Sequence, residues 1–250
     1  MMNRTSVRIY SWGARALYLG PALNLSAHRN AVALVALGLE GTFDVARDPT
    51  NLELGFRKCR SALIMPNTLH QLTGTNGLMA FLYVDPYADD WQHLLDGAEE
   101  QLPTLGFDLS QEPQLVEILA LLWNNDLTWE QAREKLKMLL AREVIKNADF
   151  RVKKALDRIH SDPGGKYSLD QIAVGIGLSA SRLRRLIKIE TGVPFRRYRL
   201  WISMGSAMYD IRQGKSLTVA ATNAGFSSPA HFSAAFRDMF GMEPSRLVGI

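Results

Sequence analysis

Ser168–Pro194 reads SLDQIAVGIGLSASRLRRLIKIETGVP, and about 48 residues further on Ser216–Pro244 reads SLTVAATNAGFSSPAHFSAAFRDMFGMEP. Each stretch opens on a helix cap, passes through a short helix containing alanine, turns at a glycine, continues as a longer helix and stops at glycine and proline. A skeleton of this kind in tandem predicts two helix-turn-helix units, about 168–191 and about 216–240. In the first copy Ser168 and Gln171 form a capping box, Ala173 lets the second helix approach closely, and Gly177 supplies the positive φ of the turn. Ile172, Ile176, Leu178, Leu183 and Leu186 are its expected core.

At about 100° per residue the longer helices divide into faces. In the first, Leu183, Leu186, Ile187 and Glu190 share the inner side; Ser181, Arg184, Arg185 and Lys188 lie opposite, with Arg182 on the flank. Arginine pairs with guanine N7 and O6 and also with phosphate, so this face can both read and hold a duplex. In the second, Phe232, Ala235, Phe236 and Met239 point inward, while Ala230, Ser233, Ala234 and Arg237 point out and Ser227 and Ser228 stand at the start. That face offers few groups to base edges. Its serine hydroxyls and helix-start N–H groups suit phosphate, and alanine suits a thymine methyl.

Between the copies, PFRRYRLWISMGSAMYDIRQ (Pro194–Gln213) reads as one helix of about 20 residues, roughly 30 Å long. Such a spacer can set two reading helices about one DNA turn apart. Arg196, Arg197 and Arg199 at its start are expected phosphate contacts. From Asp149 onward the chain holds 16 of its 29 Lys and Arg but only 8 of its 25 Asp and Glu, leaving the remainder net negative. A basic half of this kind suits a polyanion.

These residues resemble the DNA-binding domain of the AraC/XylS family of bacterial transcription regulators. LDQIAVGIGLSASRLRRLIKIETG, SLTVAATNAGF and AHFSAAFRDMFGMEPS carry the likeness, which covers about 100 residues from Asp149 to Ile250. The resemblance implies two helix-turn-helix subdomains that face successive major-groove segments of promoter DNA, activation through RNA polymerase, and a cytoplasmic bacterial protein. By the same likeness Ser181, Arg184 and Arg185 fall at base-contact positions. Pro229, Ala230 and Ala234 fall where relatives often carry polar or basic side chains, and Ser203 where the linker helix usually has an arginine. Base reading is therefore expected chiefly from the first unit.

Upstream, VRIYS, RALYLG, AVALVALGLEG, LELGFRK, SALIMP and GLMAFLYVD read as short strands between turn residues. Beyond Asp85 the period becomes helical. Asp89 and Asp90 precede WQHLLDGAEEQL, in which Trp91, Leu94, Leu95, Ala98 and Leu102 recur at helix spacing. EPQLVEILALLWNN follows, apolar nearly all round and expected to be enclosed. TWEQAREKLKMLLAREVI has a Thr128–Gln131 capping box and a stripe of Ala132, Leu136, Leu139 and Leu140, either packed within the chain or forming a homodimer seam. Asn147-Ala148-Asp149 offers a cap before the basic half.

The fold class is thus α+β: a cupin-like β-barrel over about 5–85 with helices over about 88–146, as in relatives that bind a small effector and dimerise, then an all-α double helix-turn-helix domain over 148–250. In the barrel His28 and His70 are the candidate effector-binding residues. A metal-binding cupin presents paired histidines with a glutamate, and His28 is followed by Arg29 and Asn30, so neither metal nor cofactor is expected. The alternatives are a cupin-type enzyme with a DNA-binding appendage, or a regulator controlled by a protein partner. Alkyl-transfer chemistry would rest on Cys59, the single cysteine, which reads as a small core residue. No early apolar run is long enough to span a bilayer and the start lacks a secretory pattern, so no membrane association is expected.

Overall fold

The computed structural model describes residues 7–12, 15–74, 76–84, 92–140 and 149–248. Contacts divide the chain into two units, Met1–Val144 and Ile145–Ile250.

In the first unit, β-branched and aromatic runs bounded by turn residues make eleven described strands: β1 (Arg8–Trp12), β2 (Arg15–Pro21), β3 (Asn24–Arg29), β4 (Ala33–Gly38), β5 (Phe43–Ala46), β6 (Phe56–Cys59), β7 (Ser61–Ile64), β8 (Leu69–Thr73), β9 (Leu78–Val84), β10 (Ala98–Leu102) and β11 (Leu105–Leu109). They pair into two sheets and not into one closed barrel: a seven-stranded sheet in the order β1-β2-β9-β4-β7-β11-β10, and a four-stranded sheet in the order β3-β8-β5-β6. The central strands β4 and β9 are buried along their whole length, because the large sheet is covered on both faces. One face, with Leu17, Leu19, Val35, Leu37, Leu63, Ala80 and Leu82, packs against α2 (Glu112–Asn124) and α3 (Trp129–Leu140). The other face, with Tyr18, Leu34, Ala36, Ala62, Ile64, Phe81 and Phe107, is equally buried. It meets the small sheet, whose Leu25, His28, Val45, Cys59, His70 and Leu72 are buried in turn. Arg57 of β6 ties the layers together: it pairs with Glu100 and Asp108 and lies 4.8 Å above the Phe107 ring.

Several expectations change here. The helix over Trp91–Leu102 is instead a short α1 (Gln92–Asp96) followed by the β10–β11 hairpin, in which Ala98 pairs with Leu109 and Leu102 with Leu105. Gly97 separates the two, and Leu105, Phe107 and Leu109 are buried, with Asp108 at φ 52° between the last two. Asp89, Asp90 and Trp91 lie outside the described residues. LELGFRK is half 3-10 turn (Leu52–Leu54) and half strand. Strands β3, β5 and β8 sit in stretches that read as connections, since NLSAHR and LHQLT are polar-rich and FDVA is only four residues long. The capping box holds: Thr128 N–H donates to Gln131 Oε1 at 2.9 Å, and Gln131 N–H to Thr128 Oγ1 at 3.3 Å. Ala132, Leu136 and Leu140 are buried in the unit's own core, so that stripe is spent within the chain. Residues 141–148, including Asn147 and Ala148 of the expected cap, lie outside the described residues.

The second unit is helical: α4 (Phe150–His160), α5 (Leu169–Val174), α6 (Ala180–Thr191), α7 (Phe195–Arg212), α8 (Leu217–Asn223), α9 (Pro229–Phe240) and α10 (Ser245–Val248). Asp149 caps α4 by accepting from Arg151 N–H, and the Arg151 guanidinium holds its carboxyl down at about 2. The 18-residue α7 packs against members of both repeats, so the two halves share one spine.

Candidate nucleic-acid interface

Each repeat closes as its residues dictate. Ser168 and Gln171 satisfy each other's backbone N–H groups, Gly177 stands at φ 70°, and α6 starts on Ser179, whose hydroxyl accepts from Arg182 N–H. In the second copy Ser216 caps α8, Gly225 stands at φ 84°, and Ser228 caps α9 by accepting from His231 N–H. Pro194 sets the start of α7 and Pro229 the start of α9, where a missing N–H is tolerated.

On α6, Leu183, Leu186 and Ile187 are buried while Ser181, Arg182, Arg184, Arg185 and Lys188 are exposed. Among the described residues no carboxylate lies within ion-pair distance of Arg184, Arg185 or Lys188. Arg182 stands nearer Asp149 and helps to depress that carboxyl. Much of the remaining positive charge in the unit is neutralised: Arg197 pairs with Asp238 at 3.1 Å, Arg199 with buried Asp162, Lys215 with Asp210, and Arg237 with Glu243. Arg196 is exposed at the start of α7.

Arg199 is therefore not placed as a phosphate contact. It donates to Tyr167 O at 2.8 Å and to Asp162, which also accepts the N–H groups of Lys166 and Tyr167 and so fixes the loop into α5. Ser203, at the position where an arginine is usual, donates to Pro163 O at 2.7 Å and closes the same loop.

The α9 face is plainer. Ala230, Ala234 and Arg237 are exposed and Ser233 is half-buried. Phe226, Phe232, Phe236, Phe240 and Trp201 form an aromatic ladder behind it, with neighbouring ring centroids 4.5–6.1 Å apart. Ser228 spends its hydroxyl on the helix cap. Ser227 meets His231: its N–H donates to Nδ1 at 3.3 Å and its hydroxyl lies 3.1 Å from the same atom. With Nδ1 accepting, the neutral ring carries its proton on Nε2. His231 is exposed, so α9 has one donor that the sequence reading passed over. The four-residue spacing from Ser227 was the available signal.

In the first unit His28 and His70 face each other across β3 and β8, ring centroids 4.1 Å apart, and both are buried. Among the described residues no group of three or more metal-ligating side chains is gathered. Burial pushes the Cys59 thiol up to about 12, the opposite of what a thiolate nucleophile needs. No described helix is long and apolar enough to cross a membrane.

A duplicated helix-turn-helix on one spine, with Arg184, Arg185 and Lys188 on one longer helix unpaired among the described residues, suits a DNA duplex. Residues 166–248 match the family model of a helix-turn-helix domain. Over 89 residues, 35% of the chain, the sequence is 32% identical to the Msm operon regulatory protein of Streptococcus mutans serotype c. The chain spans about a third of that relative's length, 32%. Two solved structures of ToxT from Vibrio cholerae strain SCE256 share the fold. An apo variant gives a TM-score of 0.58 at 13% identity, over 97% of this chain and 99% of that one. The wild type with unsaturated fatty acid bound gives 0.55 at 13% identity, over 99% and 97%. Residues 166–248 thus carry a helix-turn-helix domain.

Proposed function

We propose that the chain is a sequence-specific transcription regulator in which α6 reads bases, α9 mainly fixes register, and the N-terminal unit responds to a small effector. The observation that carries this reading is the α6 face. Arg184, Arg185 and Lys188 are exposed and lack ion-pair partners among the described residues, whereas Arg197 and Arg237, beside α9, are matched by carboxylates. Ser181 and Arg182 complete the face, and Arg196 and Ser227 extend it to phosphate. Ser233, half-buried, sits at its edge, and Ala230, Ala234 and His231 leave α9 shallow enough for close approach. Promoter DNA is the partner, with RNA polymerase contact, dimerisation and a cytoplasmic location as finer parts of the same proposal.

Effector sensing is supported by the buried His28–His70 pair within a two-sheet unit and by the likeness in fold to ToxT, one structure of which holds an unsaturated fatty acid. For the ligand to act on DNA binding it must bind two arrangements of the chain with different affinities. The regulatory reading is tested by the salt dependence of duplex binding, followed by fluorescence anisotropy. Five unpaired or loosely paired cations predict a log–log slope of roughly −4 to −5, hence a loss of affinity of a few hundred-fold between 50 and 200 mM salt. A slope near zero would remove the DNA-binding reading.

A further inference from the structure

The interior of the N-terminal unit is polar at one place. Its buried polar side chains, among the described residues, are His28, Asn30, Ser61 and His70; no lysine, arginine or carboxylate is buried there. Ser61 belongs to another face, where it bonds Glu112 and Leu109 N–H. The other three gather where β3 turns into β4, on the inner surface of the small sheet.

Hydrogen bonds fix the state of this cluster. His28 Nδ1 lies 2.7 Å from Ser26 O and His70 Nδ1 lies 2.9 Å from Thr68 O; a carbonyl only accepts, so both rings carry a proton on Nδ1. His70 Nε2 is then an acceptor and takes the Asn30 amide N–H at 3.2 Å. That bond settles the Asn30 amide: its nitrogen faces the imidazole and its oxygen faces away. Asn30 is 1% exposed, and Asn30 Oδ1 receives no donor from the described residues. An amide oxygen left in this state is costly, and burial is the rule only for polar groups that find partners. Burial first, then His28 and Arg29, push the His70 pKa down to about 3, so the His70 ring is neutral at physiological pH. Arg29 itself is exposed and donates to Asn67 O.

The face of the large sheet turned away from α2 and α3 is apolar: its paired Ala36 and Ala62, with Leu34, Ile64, Phe81 and Phe107, are all buried. The Tyr18 hydroxyl donates to Pro21 O and is spent.

We infer that the N-terminal unit takes a neutral ligand with an apolar body and a hydroxyl or amide N–H that donates to Asn30 Oδ1. An ionised carboxylate brings only lone pairs to the Asn30 lone pair and finds no buried lysine or arginine among the described residues, so the unit selects against it. This inference rests on the reading of the unit as an effector sensor and gives that effector a chemical class.

Three probes with one ten-carbon body separate the possibilities on the full chain by isothermal titration: 1-decanol carries a donor, sodium decanoate an anion, and methyl decanoate acceptors alone. Decanol is expected to bind about ten-fold tighter than either of the others, one hydrogen bond's worth of discrimination. Asn30→Ala is expected to erase that ratio. In the unaltered chain, decanol is expected to shift the Asn30 side-chain amide resonance while the His70 ring stays neutral, a readout that needs no variant. Decanoate or the ester binding as tightly as decanol, a ratio that survives Asn30→Ala, or an unmoved Asn30 resonance overturns the inference and leaves effector sensing standing. If none of the three binds at millimolar concentration, both are overturned. An Asn30 oxygen filled only by a resident water gives that last pattern.

Discussion

Replacing Arg184 and Arg185 together by alanine is expected to abolish the chain's preference for a selected duplex over a scrambled one. Each bidentate contact to a guanine edge contributes about 1–3 kcal/mol of discrimination, so the pair accounts for roughly 2–6 kcal/mol. Stability should hardly change. Both side chains are exposed and neither has an ion-pair partner among the described residues, and surface positions of that kind move unfolding free energy by less than about 0.5 kcal/mol. Anisotropy titrations on both duplexes, alongside urea unfolding, check the two halves of this expectation. Intact discrimination in a folded double variant would assign the reading face elsewhere.

The second large effect is at Gly225. It and Gly177 occupy the same place in the two repeats and both have positive φ, 84° and 70°. Their surroundings differ. A Cβ on Gly177 would meet nothing within 4 Å, whereas on Gly225 it would stand 2.5 Å from Gly164 O, a backbone atom. Gly177→Ala therefore incurs only the left-handed backbone penalty, about 1–2 kcal/mol. Gly225→Ala adds a forced displacement of the loop before α5, comparable with overpacking at a further 1–3 kcal/mol or so. For a unit of this size each kilocalorie lowers the melting temperature by about 4–8 °C. Thermal unfolding should rank Gly225→Ala at roughly twice the loss of Gly177→Ala; equal losses would mean that the Gly164 contact yields freely.

How much of this was legible beforehand varies with how local the cause is. The caps, the turn glycines and the inward faces of α6 and α9 follow from spacing over a few residues, and the structure places Ser168, Gln171, Gly177, Leu183 and Phe236 as that spacing requires. The hairpin at Ala98–Leu109 was hidden because Leu94, Leu95, Ala98 and Leu102 happen to satisfy a helical period, while its strand pairing is with β7, far off in sequence. Strands β3 and β8 were hidden for a related reason. Their inward residues include His28 and His70, which look like surface positions until the pairing buries them together.

At the interface, identity was legible and availability was not. Arg184 and Arg197 look alike in the sequence. Only the fold reveals that Asp238, 41 residues from Arg197, meets one of them, and that Asp162 claims Arg199. Ser203 likewise reads as a gap in a basic helix, yet its hydroxyl closes the loop at Pro163. The same distinction weakens α9 as a reader, since Arg237 is matched by Glu243.

The division of labour between the two repeats is tested most directly by selecting binding sites for the full chain from a pool of randomised duplexes and sequencing the survivors. The expected result is one strongly constrained half-site, whose constraint disappears when the selection is repeated with the Arg184→Ala, Arg185→Ala chain, and a second half-site that is nearly unconstrained. Two equally constrained half-sites, or constraint that survives in the double variant, would contradict it.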